Sequence, residues 1–151
     1  EPFDAAAAKQ DIIDRTNALR REKGVAALTV NDKLMQAAQV RADEMAASGV
    51  YSHTRPDGRK YTTVTDCKYI GENIHLIGEW QIRDSSLPSF AVEAWKNSAA
   101  HLKNMLNTRY HEIGVGVSKG TVMDEPYWYC VQLFLLDGYN VTWVDAPAAK
   151  G

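Results

Sequence analysis

Glu93-Ala-Trp-Lys-Asn-Ser-Ala-Ala-His-Leu-Lys-Asn-Met-Leu-Asn-Thr-Arg-Tyr-His-Glu-Ile-Gly-Val-Gly-Val117 decides how the chain is read. The segment runs from a helix, through Ser98 as a cap, into a short second helix that carries His101, and then through a turn into a strand. A helix serving packing alone would place Ala or Leu where His101 stands. Upstream, Ser52-His53 sits in a turn and Gly71-Glu72-Asn73-Ile74 opens a strand. Two imidazoles and a carboxylate are thereby gathered from separate elements, which is how a small site is built on a rigid scaffold.

The remainder of the chain supplies that scaffold. Residues 4–23 read as a helix with an Ala-rich start and an apolar stripe of Ile12, Ile13, Thr16 and Leu19, stopped by Gly24. A second helix starts at Asn31, flanked by Val30 and Met35 at staple positions, and ends at Gly49. Its core face is Leu34, Ala37, Ala38, Ala42 and Met45, small enough for close packing against a neighbour. Residues 51–68 are irregular, with Arg55-Pro56-Asp57-Gly58 as a tight turn. A strand follows over 69–77, then a polar loop over 79–86, then a helix opened by Pro88 and running to about Asn97. Residues 111–119 and 127–136 alternate as strands, with Lys119-Gly120 beginning their connection and Asp137-Gly138 as a later turn. The hairpin-type connection favours an antiparallel sheet. The expected class is α+β or a layered α/β/α arrangement, with a mainly antiparallel sheet. One domain is expected over residues 1–144, with a loose Ala/Pro-rich tail over 145–151.

A chain of 151 residues has the size of one domain and buries a core without needing metals or many disulfides. A formal charge of -2 offers no footprint for nucleic acid or an anionic membrane. No apolar run reaches the length of a transmembrane span. Glu1 in place of Met is expected of a processed or trimmed chain, as after removal of a signal peptide. The two cysteines, Cys67 and Cys130, either close one long-loop disulfide or remain unpaired thiols, a choice that only geometry makes. There is no CxxC, HExxH, GxSxG, Walker loop or GxGxxG, so no organic cofactor is expected.

Neutral imidazoles are good zinc ligands, and a carboxylate either ligates or orients a ligand histidine. The same trio can supply a general acid and base, with Glu72 and His101 as the catalytic candidates. Ser98 and His101 share a helix face, but a capping serine commits its oxygen to backbone N–H groups and makes a poor nucleophile. His75 lies at odd spacing from Glu72 and points to the other face, and His111 begins a strand. Both read as rim residues. Trp95 and the strand Tyr127–Phe134 read as core, whereas Trp80 and Trp143 sit where they would cover a groove.

Taken together, Ser52-His53, Gly71-Glu72-Asn73-Ile74, Ala94-Trp95-x-x-Ser98-x-x-His101, Leu106-Asn107-x-x-Tyr110, Glu112-Ile113-Gly114-Val115-Gly116 and Tyr127-Trp128…Gln132-Leu133-Phe134 resemble the CAP superfamily, in its bacterial SCP-domain branch. The resemblance runs from about residue 11 to residue 136. It implies the α-β-α sandwich and a secreted or cell-surface location. It also implies a cavity in which two His and two Glu are able to hold a divalent metal such as zinc. His53 and His101 match the histidines and Glu72 the first Glu, as ligand or orienting group. Ser98 stands where the second Glu belongs, so the four-residue site is incomplete. The functions implied are diverse. The first is a binding module for a metal, a small ligand or a host or surface protein. The alternatives are a metal-assisted hydrolase of peptides or cell-wall material, and a lipid or sterol carrier. The chain is expected to be a monomer.

Overall fold

The computed structural model describes residues 3–82 and 86–146. Helix α1 (Ala5–Glu22) starts at Asp4, whose carboxylate accepts from the Ala7 N–H at 3.0 Å. It buries Ile12, Ile13, Thr16 and Leu19, the stripe that its periodicity predicts, together with Arg20. After the short strand β1 (Thr29–Val30), helix α2 (Asp32–Ser48) is capped by Asn31, which accepts from the Leu34 N–H, and ends at Gly49 in the left-handed conformation. Strand β2 (Ile70–Gly78), helices α3 (Glu79–Ile82), α4 (Leu87–Lys96) and α5 (Ala99–Leu106), and strands β3 (Tyr110–Val122) and β4 (Glu125–Leu136) complete the chain.

The sheet order is β1-β3-β4-β2, with only the β1–β3 pair parallel among the described strands. Alternation along β4 divides the core in two. Trp128, Cys130 and Phe134 pack beneath Ile12, Ile13, Trp95 and Met105 from α1, α4 and α5. Tyr129, Val131, Leu133 and Leu135 pack beneath Leu34, Ala37, Ala38, Ala42 and Met45 from α2. This is the expected α-β-α sandwich. Helix α2 lies almost against the sheet backbone. A Cβ added at Gly114 would fall 2.2 Å from the Leu34 carbonyl carbon, and one at Gly116 would fall 2.3 Å from the Ala38 carbonyl oxygen.

Strand β2 is an edge, and side chains close its outward carbonyls. Tyr61 donates to the Ile70 carbonyl at 3.0 Å, Asn104 to that of Glu72 at 3.4 Å, and Tyr51 and Trp95 both to that of Ile74, at 3.2 and 3.1 Å. The edge is therefore blocked against addition of another strand.

Three local expectations are corrected. Residues 79–82, expected in a loop, form helix α3, and Gln81 turns back to accept from the Gly78 N–H at 2.7 Å. Residues 83–85 of that expected loop lie outside the described residues. The β3–β4 connection begins beyond Lys119-Gly120, at Met123 and Asp124, with φ of 51° and 68°. That is the left-handed pair of a two-residue hairpin turn, which sequence usually signals with Asn-Gly. Placing Asn at 123 and Gly at 124 is expected to stabilise the protein by about 1 kcal/mol, since both residues accept positive φ. A thermal melt should rise by about 2–4 °C. Finally, Asp145 is not loose. Its N–H donates to the Val64 carbonyl at 2.8 Å and its carboxylate accepts from Arg55 and Arg59 at 2.8 and 2.7 Å. Ordered chain thus extends through Ala146, and residues 147–151 of the expected tail lie outside the described residues.

Candidate functional site

The edge position of β2 lets it carry one polar residue into each layer. Glu72 faces α2, and Asn73 faces α1 and α5. The Glu72 side chain is fully buried and receives Arg41 bidentately, Nε at 2.7 Å and Nη2 at 3.1 Å. His53, on the loop after α2 and half exposed, sets its Nδ1 at 2.7 Å from Glu72 Oε1. An ionised carboxylate only accepts, so the proton of a neutral His53 belongs on Nδ1 and the lone pair on Nε2.

Arg41 is the residue that sequence reasoning missed. It lies on the α2 stripe between Ala38 and Ala42, fully buried, and a charge on an apolar face was the available signal. Burial alone would lower its guanidinium pKa. Hydrogen bonds and charge attraction from Glu72 and Glu44 outweigh this and raise it above the ordinary value. Its remaining donors reach Glu44 at 2.8 Å and the Ser52 carbonyl at 2.6 Å. Glu44 in turn holds the buried Arg55, which holds Asp145. An unbroken line of alternating charges therefore runs from the chain's last described turn to His53.

On the opposite layer, Asn73 donates to the His101 carbonyl and to Gln132 Oε1, each at 3.0 Å. Gln132 donates to Thr16, and Asn104 donates to Asn73 Oδ1. Arg20 fixes the far end of α5 by donating to the carbonyls of Met105, Asn107 and Tyr110. The backbone around His101 is thus held at both ends. Burial, and secondarily the charge on nearby His53, lower the His101 pKa below the ordinary imidazole value. The neutral ring, the form that ligates a metal, is favoured.

The other sequence candidates separate from this pair. Ser98 occupies the N-cap of α5 but makes no side-chain cap bond. Its oxygen is therefore not committed to the backbone as capping predicts. His75 stacks on Phe90 of α4, on the face opposite Glu72, and burial followed by the His101 charge lowers its pKa. His111 is exposed, 3.8 Å from Asp137. Cys67 and Cys130 are free and buried in core clusters on opposite faces of the sheet. Burial pushes the Cys130 thiol up to about 12. Trp80 is exposed and lines a cavity, whereas Trp143 is also exposed and its backbone N–H donates to Asp66.

Because His101 and His75 bind protons less readily when folded, the unfolded state takes up more protons as pH falls through about 6.5. Stability is expected to drop between pH 7.5 and 5.5 in calorimetric melts, and His101→Gln should flatten that dependence.

Among the described residues no group of three or more His, Cys, Asp or Glu side chains is arranged to hold a metal ion. Glu72 is engaged by Arg41, which leaves two imidazoles as the donor set. Such a set fits a late first-row divalent ion with remaining positions filled from solution, and does not fit Mg²⁺ or Ca²⁺. No helix among the described residues is long and apolar enough to cross a membrane.

Known proteins match this chain along most of its length. The sequence model of the cysteine-rich secretory protein family (CAP) matches residues 13–134. The uncharacterized protein YkwD of Bacillus subtilis is 28% identical over 128 residues, which cover 83% of this chain and 49% of YkwD, so the chain spans about half of that relative. Among solved structures, an extracellular protein containing a SCP domain from Bacillus anthracis aligns with a TM-score of 0.65 at 22% identity, over 91% of this chain and 45% of that one. NaASP2 with Zn²⁺ aligns with a TM-score of 0.58 at 15% identity, over 83% of this chain and 78% of that one. At these identities the structures establish a common fold.

Proposed function

Since the chain belongs to the cysteine-rich secretory protein (CAP) family, we propose that it is a secreted binding module in which His53 and His101 take up a divalent metal ion such as zinc. The observation that carries this reading is the 2.7 Å contact between His53 Nδ1 and Glu72, which leaves Nε2 unprotonated, with His101 near enough for the two rings' charges to repel. A ligand histidine whose other nitrogen is fixed by a carboxylate is the usual arrangement at protein zinc sites. The bound ion would supply Lewis acidity and open positions for an exogenous donor. NaASP2 is a zinc-bearing protein of the same fold, and the Bacillus anthracis protein is extracellular, which supports both halves of the reading. The hydrolase alternative requires a free base, and both Glu72 oxygens are already accepting hydrogen bonds from Arg41 and His53.

Alanine at both His53 and His101 is expected to abolish zinc uptake by metal-stripped protein in calorimetry, with the thermal transition retained. Undiminished uptake would move the metal elsewhere.

A lipid or sterol ligand has one observation in its favour. Trp80, Ile82, Leu87, Pro88 and Trp128 line a cavity of about 780 Å³, large enough for such a molecule. Mass spectrometry of solvent extracts from purified protein tests it, and an extract free of lipid counts against it.

A further inference from the structure

We infer that Arg41 is the positioning residue of the imidazole site: it fixes both the place and the tautomer of His53, and keeps Glu72 as an orienting group rather than a ligand. The inference rests on the reading of His53 as a metal donor, but its geometry stands without any ion.

One guanidinium performs two tasks. Through Nη2 it grips the Ser52 carbonyl at 2.6 Å, one residue before His53, and so fixes the backbone from which the ring projects. Through Nε and the same Nη2 it holds the two oxygens of Glu72, at 2.7 and 3.1 Å, and so fixes the acceptor at which the ring is aimed. Both ends of the short path from backbone to ring are referred to the same rigid group. The remaining Nη1 is held by Glu44, itself clamped by Arg55 on the far side. Arg41 therefore has no alternative rotamer that would keep its partners satisfied. Arginine is required for geometric reasons. A lysine carries the charge but has no planar fork to hold two carboxylate oxygens and a carbonyl together. Because Arg41 holds both oxygens in place, the acceptor-only carboxylate of Glu72 stays aimed at His53. The proton is held on Nδ1, and Nε2 is free to donate its lone pair.

This separates the roles of two buried residues. In Glu72→Gln the Arg41 fork claims the single amide oxygen and leaves the amide NH₂ facing His53, so Nδ1 must accept and the proton must move to Nε2. In Arg41→Lys the carboxylate is no longer held against the ring, so the Nδ1 contact is lost part of the time and both tautomers should be populated.

The test is a long-range proton–nitrogen NMR spectrum of the metal-free protein at about pH 8, well above the ordinary imidazole pKa. The wild type should show His53 with a protonated Nδ1 and an unprotonated Nε2. Glu72→Gln should invert that assignment, and Arg41→Lys should give averaged shifts. Zinc affinity should fall about 10–100-fold in both variants, the range for loss of an orienting partner. Arg41→Lys keeps a buried cation and is expected to fold, with a melt as the control. If the lysine variant is unstable, the same spectrum is recorded in sucrose, which favours the folded state. The inference is overturned if Arg41→Lys keeps the wild-type tautomer while Glu72→Gln inverts it, since Glu72 would then orient the ring unaided. A wild-type His53 protonated on Nε2 overturns it as well. Absence of zinc binding would remove the metal reading and leave the tautomer result standing.

Discussion

Gly116→Val is expected to leave the protein without a cooperative unfolding transition, or with one weakened by more than about 3 kcal/mol, the upper end of the usual overpacking cost. The first added atom would lie 2.3 Å from the Ala38 carbonyl oxygen and 2.6 Å from the Gln39 nitrogen. Those are helix backbone atoms and have no rotamer through which to yield. Relief requires lifting α2 from β3, which would expose Leu34, Ala38, Ala42 and Met45 together. Native stabilities of about 5–15 kcal/mol leave little room for such a shift. Thr121→Val, at the exposed end of the same strand, should change stability by no more than about 0.5 kcal/mol. Urea titrations of the two variants, followed by far-ultraviolet circular dichroism, separate the outcomes. A Gly116→Val protein as stable as the wild type would mean that α2 does not ride on the sheet as described.

The second large effect belongs to the buried ion pair. Arg41→Met should cost about 3–5 kcal/mol, because it leaves the Glu72 carboxylate buried without its cation. The penalty arises chiefly from the stranded charge. The double variant Arg41→Met with Glu72→Leu should therefore recover much of the loss, since replacing a buried pair by apolar side chains is often neutral. A double-mutant cycle in urea measures the difference. Equal destabilisation of the single and double variants would assign the cost to packing.

The same two regions explain how far the sequence could be read. The α2 face was legible because Leu34, Ala37, Ala38, Ala42 and Met45 recur at helical spacing, and their small volumes foretold a close neighbour. Its counterpart, Gly114 and Gly116 on one face of β3, became meaningful only when the helix axis was known to cross there. His53, Glu72 and His101 could be selected by residue type and by resemblance. The joining of Glu72 and the His53 loop through Arg41 could not, since the Arg41–Glu72 contact spans 31 positions and depends on a register fixed by the whole sheet. The Met123-Asp124 turn was missed because Met is not a usual left-handed residue and Asp124, which tolerates that region, stands without a neighbouring Gly or Asn. Asp145 was hidden for a related reason. An Ala/Pro-rich composition describes its neighbours, whereas its own place is set by two arginines some 90 residues earlier. Ser98 illustrates the opposite error, a cap position recognised correctly whose side chain makes no capping bond.

The central claim is the proposal that His53, oriented by Glu72, forms one donor pair with His101. The measurement that tests it most directly is a zinc titration of metal-stripped, nitrogen-labelled protein, with the imidazole nitrogens of all four histidines followed at pH 7.5 and 5.5. The account predicts that one equivalent of zinc shifts Nε2 of His53 and a ring nitrogen of His101 together. His75 and His111 should keep their direct coordination-free signatures, and binding should weaken at the lower pH as protons compete for the rings. Zinc that leaves both His53 and His101 unmoved at pH 7.5 would contradict it, and would reduce the pair to structural residues of the β2 edge.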